Sequence, residues 1–209
     1  MKYFNKALLS MCLFAAAGMA SATAFSITGS SAIAGSGYGV EEENAQSTLL
    51  DVEFSTANFI AENFSLNSPN DFREIVVGRV DFRESSNSMG IRLAETDNLG
   101  LAWSLTFTAP GNVSNSVMAI GTALIGSVQD SAIDYSLVWA PIFINFGANG
   151  QYRIDLFDLA FSRATAQDLV ARITLINADT PVDVPEPGSL GLLAIGLLGA
   201  GFLRRRVSK

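Results

Sequence analysis

The sequence predicts an all-β fold, an antiparallel β-sandwich of jelly-roll-like type in one domain, with distinct segments at both ends. Three observations carry this. Apolar residues recur at every second position in several short runs. Gly, Asn, Asp, Ser and Pro gather between those runs. No long stretch repeats its apolar residues at helical spacing, and there is no internal repeat or heptad pattern. Eight or nine strands with short connections suit a sandwich or jelly roll.

Taken in order, Lys2 and Lys6 form a basic start, Ala7 to Met19 an apolar run, and Ala20-Ser21-Ala22 and Ala22-Thr23-Ala24 two overlapping small-x-small sites. That is a secretory signal peptide over residues 1–24, addressed to the secretory translocon and signal peptidase. Cleavage after Ala24 is favoured, because Phe25-Ser26-Ile27-Thr28 then starts the mature chain as a strand; cleavage after Ala22 stays open. Cys12, the one cysteine, lies in the discarded part.

The exported domain is residues 25–178. Phe25 to Gln46 reads as a lead strand and a long exposed loop with the acidic run Glu41-Glu42-Glu43. Leu50, Val52 and Phe54 alternate with Asp51 and Glu53, and Val76, Gly78, Val80 and Phe82 alternate with Val77, Arg79 and Asp81. The clearest strand sets Leu101, Trp103, Leu105 and Phe107 against Ala102, Ser104, Thr106 and Thr108. Tyr135 to Phe146 is apolar on both faces and breaks at Pro141. Gly147-Ala148-Asn149-Gly150 then makes a hairpin into Gln151 to Phe161, whose phase slips at Leu156-Phe157 as a β-bulge allows. Leu169, Ala171, Ile173 and Leu175, opposed by Arg172 and Thr174, form the last strand.

Between residues 25 and 189 there is no histidine, lysine or cysteine. Ser-His-Asp, Cys-His and Ser-Lys catalysis and imidazole or thiolate metal sites therefore lack their parts. Six of the 13 basic residues lie outside that span, leaving seven arginines against 20 acids, a net charge of −13. Nucleic acid is excluded as a partner on that charge.

Paired carboxylates survive as a glycosidase option, with Asp155/Asp158 or Asp81/Glu84 as candidates. No cofactor is expected; calcium stays open, with oxygen ligands at Glu41 to Glu43, Asp97/Asn98 and Asp130/Asp134, but no EF-hand loop is present and solvated loop charge is the favoured reading. For sugar stacking, Trp103 reads as core and Trp139 is the candidate platform. Asn63-Phe64-Ser65 and Asn112-Val113-Ser114 match the glycosylation triplet.

The C-terminus carries the sharpest signal. A linker with a Pro-Glu-Pro motif spans 179–189, an apolar helix 190–203 and a basic tail 204–209. The 14-residue run LGLLAIGLLGAGFL reaches about 21 Å as a helix, short of the ~30 Å hydrocarbon core. Four glycines weaken it further, by about 0.8–1 kcal/mol each. Arg204, Arg205 and Arg206 act as a cytoplasmic stop that places everything before Leu190 outside. Pro185 and Pro187 hold an extended peptide with Glu186 presented between them.

In Val184-Pro185-Glu186-Pro187, a short Gly-rich helix and an arginine cluster, this tail resembles the PEP-CTERM sorting signal of Gram-negative bacteria. The resemblance implies recognition and removal of the helix by exosortase, a membrane-embedded cysteine transpeptidase. It also implies transient residence in the inner membrane and a final place on the cell surface or in an extracellular matrix, with exopolysaccharide as a neighbour. A non-enzymatic, biofilm-associated surface protein is the expected function. A carbohydrate-binding module and a glycoside hydrolase are the alternatives.

Overall fold

The computed structural model describes residues 22–40, 46–84, 90–130 and 132–179. Twelve strands lie within them: β1 Thr23–Ala34, β2 Tyr38–Gly39, β3 Leu50–Ser55, β4 Glu62–Leu66, β5 Phe72–Phe82, β6 Gly100–Ala109, β7 Val113–Ala123, β8 Tyr135–Trp139, β9 Ile142–Phe146, β10 Gly150–Leu156, β11 Leu159–Phe161 and β12 Thr165–Asn177. The one helical element among the described residues is a 3-10 turn at Leu93–Glu95. The expected signal peptide up to Ser21, the Glu41 to Glu43 run and everything from Thr180 onward, including the expected helix 190–203, lie outside the described residues.

The strands make two six-stranded sheets. Sheet I has the order β11-β8-β7-β6-β1-β4 and sheet II the order β2-β3-β5-β12-β10-β9. Every pairing is antiparallel except the two-residue β2, which runs parallel to β3. Twelve strands exceed the eight or nine expected. β2 and β11 have only two and three residues, too few to show an alternation in sequence.

Period two does the folding work. Leu101, Trp103, Leu105 and Phe107 of β6 and Leu169, Ala171, Ile173 and Leu175 of β12 are all fully buried, so each of these strands commits one face to the core. Aromatic pairs join the sheets across that core. Phe25 of β1 meets Tyr152 of β10 edge-on at 5.3 Å, and Phe82 of β5 stacks on Tyr135 of β8 at 5.6 Å.

Trp103 ties the two sheets most tightly. Its Nε1 donates to Ser30 Oγ at 2.8 Å, and Ser30 Oγ donates to the Val77 carbonyl of the opposite sheet at 2.6 Å. The ring lies where a Cβ on Gly78 would stand, so only glycine fits there.

That contact sits on a β-bulge. Leu169 pairs with Gly78 but Val170 pairs with Val76, which leaves Val77 as the extra residue in β5. Val77 is consequently buried and Val76 is 37% exposed, the reverse of the phase expected from the alternation of Val76 with Gly78 and Val80. The bulge expected at Leu156-Phe157 is a crossing instead. Phe157 N still donates to Val170 O at 3.0 Å, and the chain then leaves sheet II for β11 of sheet I. A strand that changes sheets must re-aim its inward side chains, which resets the period-two phase. Pro141 marks the opposite crossing, from β8 in sheet I to β9 in sheet II. The expected Gly147 to Gly150 hairpin joins β9 and β10, with Gly147 at φ +56°.

Candidate functional site: the domain and its sorting tail

The two described ends of the domain lie at the same end of the sheets. Thr23 pairs with Leu66, the turn that follows Leu66 bonds through Asn70 N to Leu175 O at 2.7 Å, and Asn177 pairs with Gln151. Asp179, the last described residue, accepts through Oδ1 from Ala148 N at 2.9 Å and Asn149 N at 3.2 Å. Its carboxylate thereby fastens the start of the expected linker to the β9–β10 turn. Val184, Pro185, Glu186, Pro187 and Arg204 to Arg206 follow outside the described residues. At the other terminus, β1 begins at Thr23, two residues before the expected mature start at Phe25. Thr23 and Ala24 are paired with Leu66 and Ser65. Ala22 is the first described residue.

The candidate acids have local partners. Asp155 Oδ2 accepts from its strand neighbour Arg153 at 2.7 Å, while Asp158 Oδ1 accepts from Trp139 N at 2.9 Å where the chain crosses between sheets. Asp81 binds Arg83 at 2.8 Å, an interaction that raises the Arg83 pKa above its ordinary value. Glu84 is fully buried and accepts from Asp51 N at 3.3 Å. Asp134 is also buried and accepts from Gln129 N at 3.3 Å; Asp130 accepts from Ala132 N at 3.0 Å. Asn98 takes a positive φ of 59° in a turn beside Asp97. Among the described residues no three acids converge as metal ligands would.

Both tryptophans are buried. Trp103 is fully enclosed, as expected, and Trp139 is only 7% exposed, so the candidate stacking platform belongs to the core. Of the triplet residues, Asn63 and Ser65 lie on exposed positions of β4, and Asn112 and Ser114 at the β6–β7 turn.

Two features escaped the sequence. Glu95 is fully buried, held by Arg92 through Nη2 at 2.7 Å and backbone N at 2.7 Å. A shallow open groove of about 310 Å3 is lined by Asn58, Ile60, Glu62, Val76 and Asp168. Asn58 Nδ2 donates to Asp168 Oδ1 at 3.1 Å across 110 residues of sequence, a separation that no local pattern reveals.

Burial sets the chemistry of the aromatic hydroxyls. Tyr152 is pushed up to about 12 by desolvation, partly countered by Asn115. Tyr38 is likewise pushed up to about 12 by burial, against a hydrogen bond from Tyr135; burial drives Tyr135 higher still.

Neither a curated protein nor a solved structure matches the chain. One family does match, over residues 183–206: the PEP-CTERM protein-sorting motif. The chain therefore carries a C-terminal PEP-CTERM signal, the mark of an exported protein that exosortase processes on the way to the surface of a Gram-negative cell.

Proposed function

We propose that the domain is a non-enzymatic structural component of the cell surface or of an extracellular polysaccharide matrix, released from its membrane tail at the Pro-Glu-Pro motif. The sorting motif at residues 183–206 carries this reading. The residue inventory supports it, because a domain without histidine, lysine or cysteine has few groups for proton transfer or nucleophilic attack near neutral pH. Burial of Trp139 takes away the tryptophan platform of the carbohydrate-module alternative and leaves it only the exposed phenylalanines Phe72 and Phe143 among the described residues.

The short helix holds the tail only while Arg204 to Arg206 stay on the cytoplasmic side, each costing ~2.5–3.5 kcal/mol at the bilayer centre. The register of β1 supports the signal site after Ala22, since a cut after Ala24 would remove two paired residues.

Intact-mass analysis of the surface form tests both ends together. A C-terminus at or near Pro187, or a conjugate there, is expected, with Thr23 first. A surface form retaining Leu190 to Lys209 overturns the sorting reading, and Phe25 first overturns the cleavage assignment alone. Replacing Pro185, Glu186 and Pro187 with Ala should strand uncleaved protein in the inner membrane. Release of reducing sugar by the purified surface form, lost on Asp155→Asn, would replace the structural reading with the enzymatic one.

A further inference from the structure

We infer that the outer face of sheet I is the surface on which a second copy of this chain docks. β1, β6, β7, β8 and β11 contain no Asp, Glu, Lys or Arg, so five of the six strands of this sheet present no charge to solvent. Large apolar side chains stand out from it instead: Ile33 is 67% exposed, Met118 57%, Ile120 74% and Val138 55%.

They are neighbours by register. Ile33, Ala102 and Met118 lie in one row across β1, β6 and β7. Gly100, Ile120 and Val138 lie in an adjacent row across β6, β7 and β8. Gly100 has nothing within 4 Å of where its Cβ would be, leaving the flank of Ile120 open. Toward the β6–β7 turn the same face turns to hydroxyls, with Ser104 bonded to Ser116 at 2.6 Å and Thr106 to Ser114 at 2.9 Å.

Three considerations select a second copy. Processed chains of net charge −13 repel one another, and a face without carboxylates is where two of them can close without burying unpaired charge. Hydroxyls both donate and accept, so a hydroxyl face is complementary to itself, as an isologous two-fold contact requires. A two-fold axis along the strands sets apolar end on apolar end. Six strands at ~4.8 Å and about eight residues at ~3.4 Å give roughly 800 Å2, the area per partner of a standard-size interface.

The test is sedimentation equilibrium of the protein purified from its producing cells, with whatever ends processing leaves. A dimer is expected at about 50 μM, and Ile120→Glu and Met118→Glu should each raise its dissociation constant ten-fold or more. Both side chains are exposed, so thermal unfolding at about 1 μM, where wild type and variants are alike monomeric, should be unchanged and monomerisation cannot be ascribed to misfolding. Val76→Glu, on the outer face of sheet II, should leave the dimer intact. A monomer at every concentration, a dimer indifferent to both sheet I variants, or equal disruption by Val76→Glu overturns the inference. Dimerisation seen only after adding exopolysaccharide also overturns it, in favour of a glycan occupant. Failure of the sorting reading would show in the masses of the ends and not in this equilibrium.

Discussion

β3, β5, β10 and β12 of sheet II carry ten charged residues, whereas five strands of sheet I carry none, although the two sheets bury inner faces of the same apolar kind. On sheet II the charges are arranged in pairs. Arg172 meets Glu74 at 2.6 Å, Arg79 meets Asp168 at 3.7 Å, and Arg83 meets both Glu53 at 2.6 Å and Asp81 at 2.8 Å. Arg73 of β5 reaches Glu62 of β4 at 3.0 Å and so links the sheets along one side. Six of the seven arginines of the domain are ion-paired. The inward alternation thus specifies the fold, while the outward positions are free to take two chemistries. One face is built to stay in water and the other to leave it.

The comparison holds only if the sheets share one core, and Trp103 tests that most severely. Its ring fills the space over Gly78 and its indole N–H reaches Val77 through Ser30, so Trp103→Ala should cost about 3–5 kcal/mol in urea unfolding. Ile173→Ala on the inner face of sheet II should unfold the protein in the same single transition. Two separate transitions, or a loss below ~1 kcal/mol at Trp103, would mean that the sheets are stabilised independently.

The next effect belongs to neither outer face. Tyr152 has its folded pKa raised from 10 to about 12 by burial, so the stability tied to its protonated form is fully present below pH 10 and lost as pH rises through 12. Tyr38 has its pKa raised in the same direction, and so does Tyr135. With no histidine or lysine between residues 25 and 189, stability should be nearly level from pH 7 to 9.5 and then fall. Tyrosinate absorbance should stay absent at pH 10.5 and appear together with unfolding. Absorbance that grows through pH 10 in the folded protein would place these hydroxyls in water.

Legibility followed range. The alternation of β6 and β12 could be read directly because each strand keeps one phase along its length, and the Gly147 to Gly150 hairpin because its turn residues are contiguous. The phase of Val76 could not, since the bulge that flips it is set by pairing with Leu169 and Val170, some 90 residues away. Trp139 lay in a run apolar on both faces, where period two gives no inward direction; the fold buries it in the same phase of β8 as Tyr135 and Leu137, with Val138 left outside. The uncharged character of sheet I was written in its strands but scattered over residues 23 to 161, and only the strand order gathers it onto one surface. The sorting tail was legible throughout because its motif is local and needs no fold.

On sheet II, Arg172→Ala should cost about 1 kcal/mol. The guanidinium pairs with Glu74 and lies 4.7 Å from the Phe72 ring centroid and 5.1 Å from that of Phe157, yet both ion-pair partners are about two-fifths exposed. Half-exposed pairs and exposed cation–π contacts are each worth up to about 1 kcal/mol. Raising the salt to 1 M should shrink the difference between variant and wild type. A salt-independent loss of 2 kcal/mol or more would show that the face is structurally indispensable, and the contrast with sheet I would then lie in stability as well as in solvation.

The smallest effect is the sharpest test of sheet I. Ser104 and Ser116 face each other on the solvent side, where water replaces either hydroxyl when its partner is lost, so Ser104→Ala should change the stability of the monomer by less than about 0.5 kcal/mol. The double variant Ser104→Ala, Ser116→Ala removes both partners together and should be close to neutral, because no polar group is left unmatched. Under dimerising conditions the balance changes. A hydroxyl covered by a second copy has no water to turn to, so the single variant should then cost more than the double one. Measuring both variants at about 1 μM and about 100 μM separates the cases: a difference that grows with concentration belongs to a covered face, and one that is the same at both belongs to a face that stays in water.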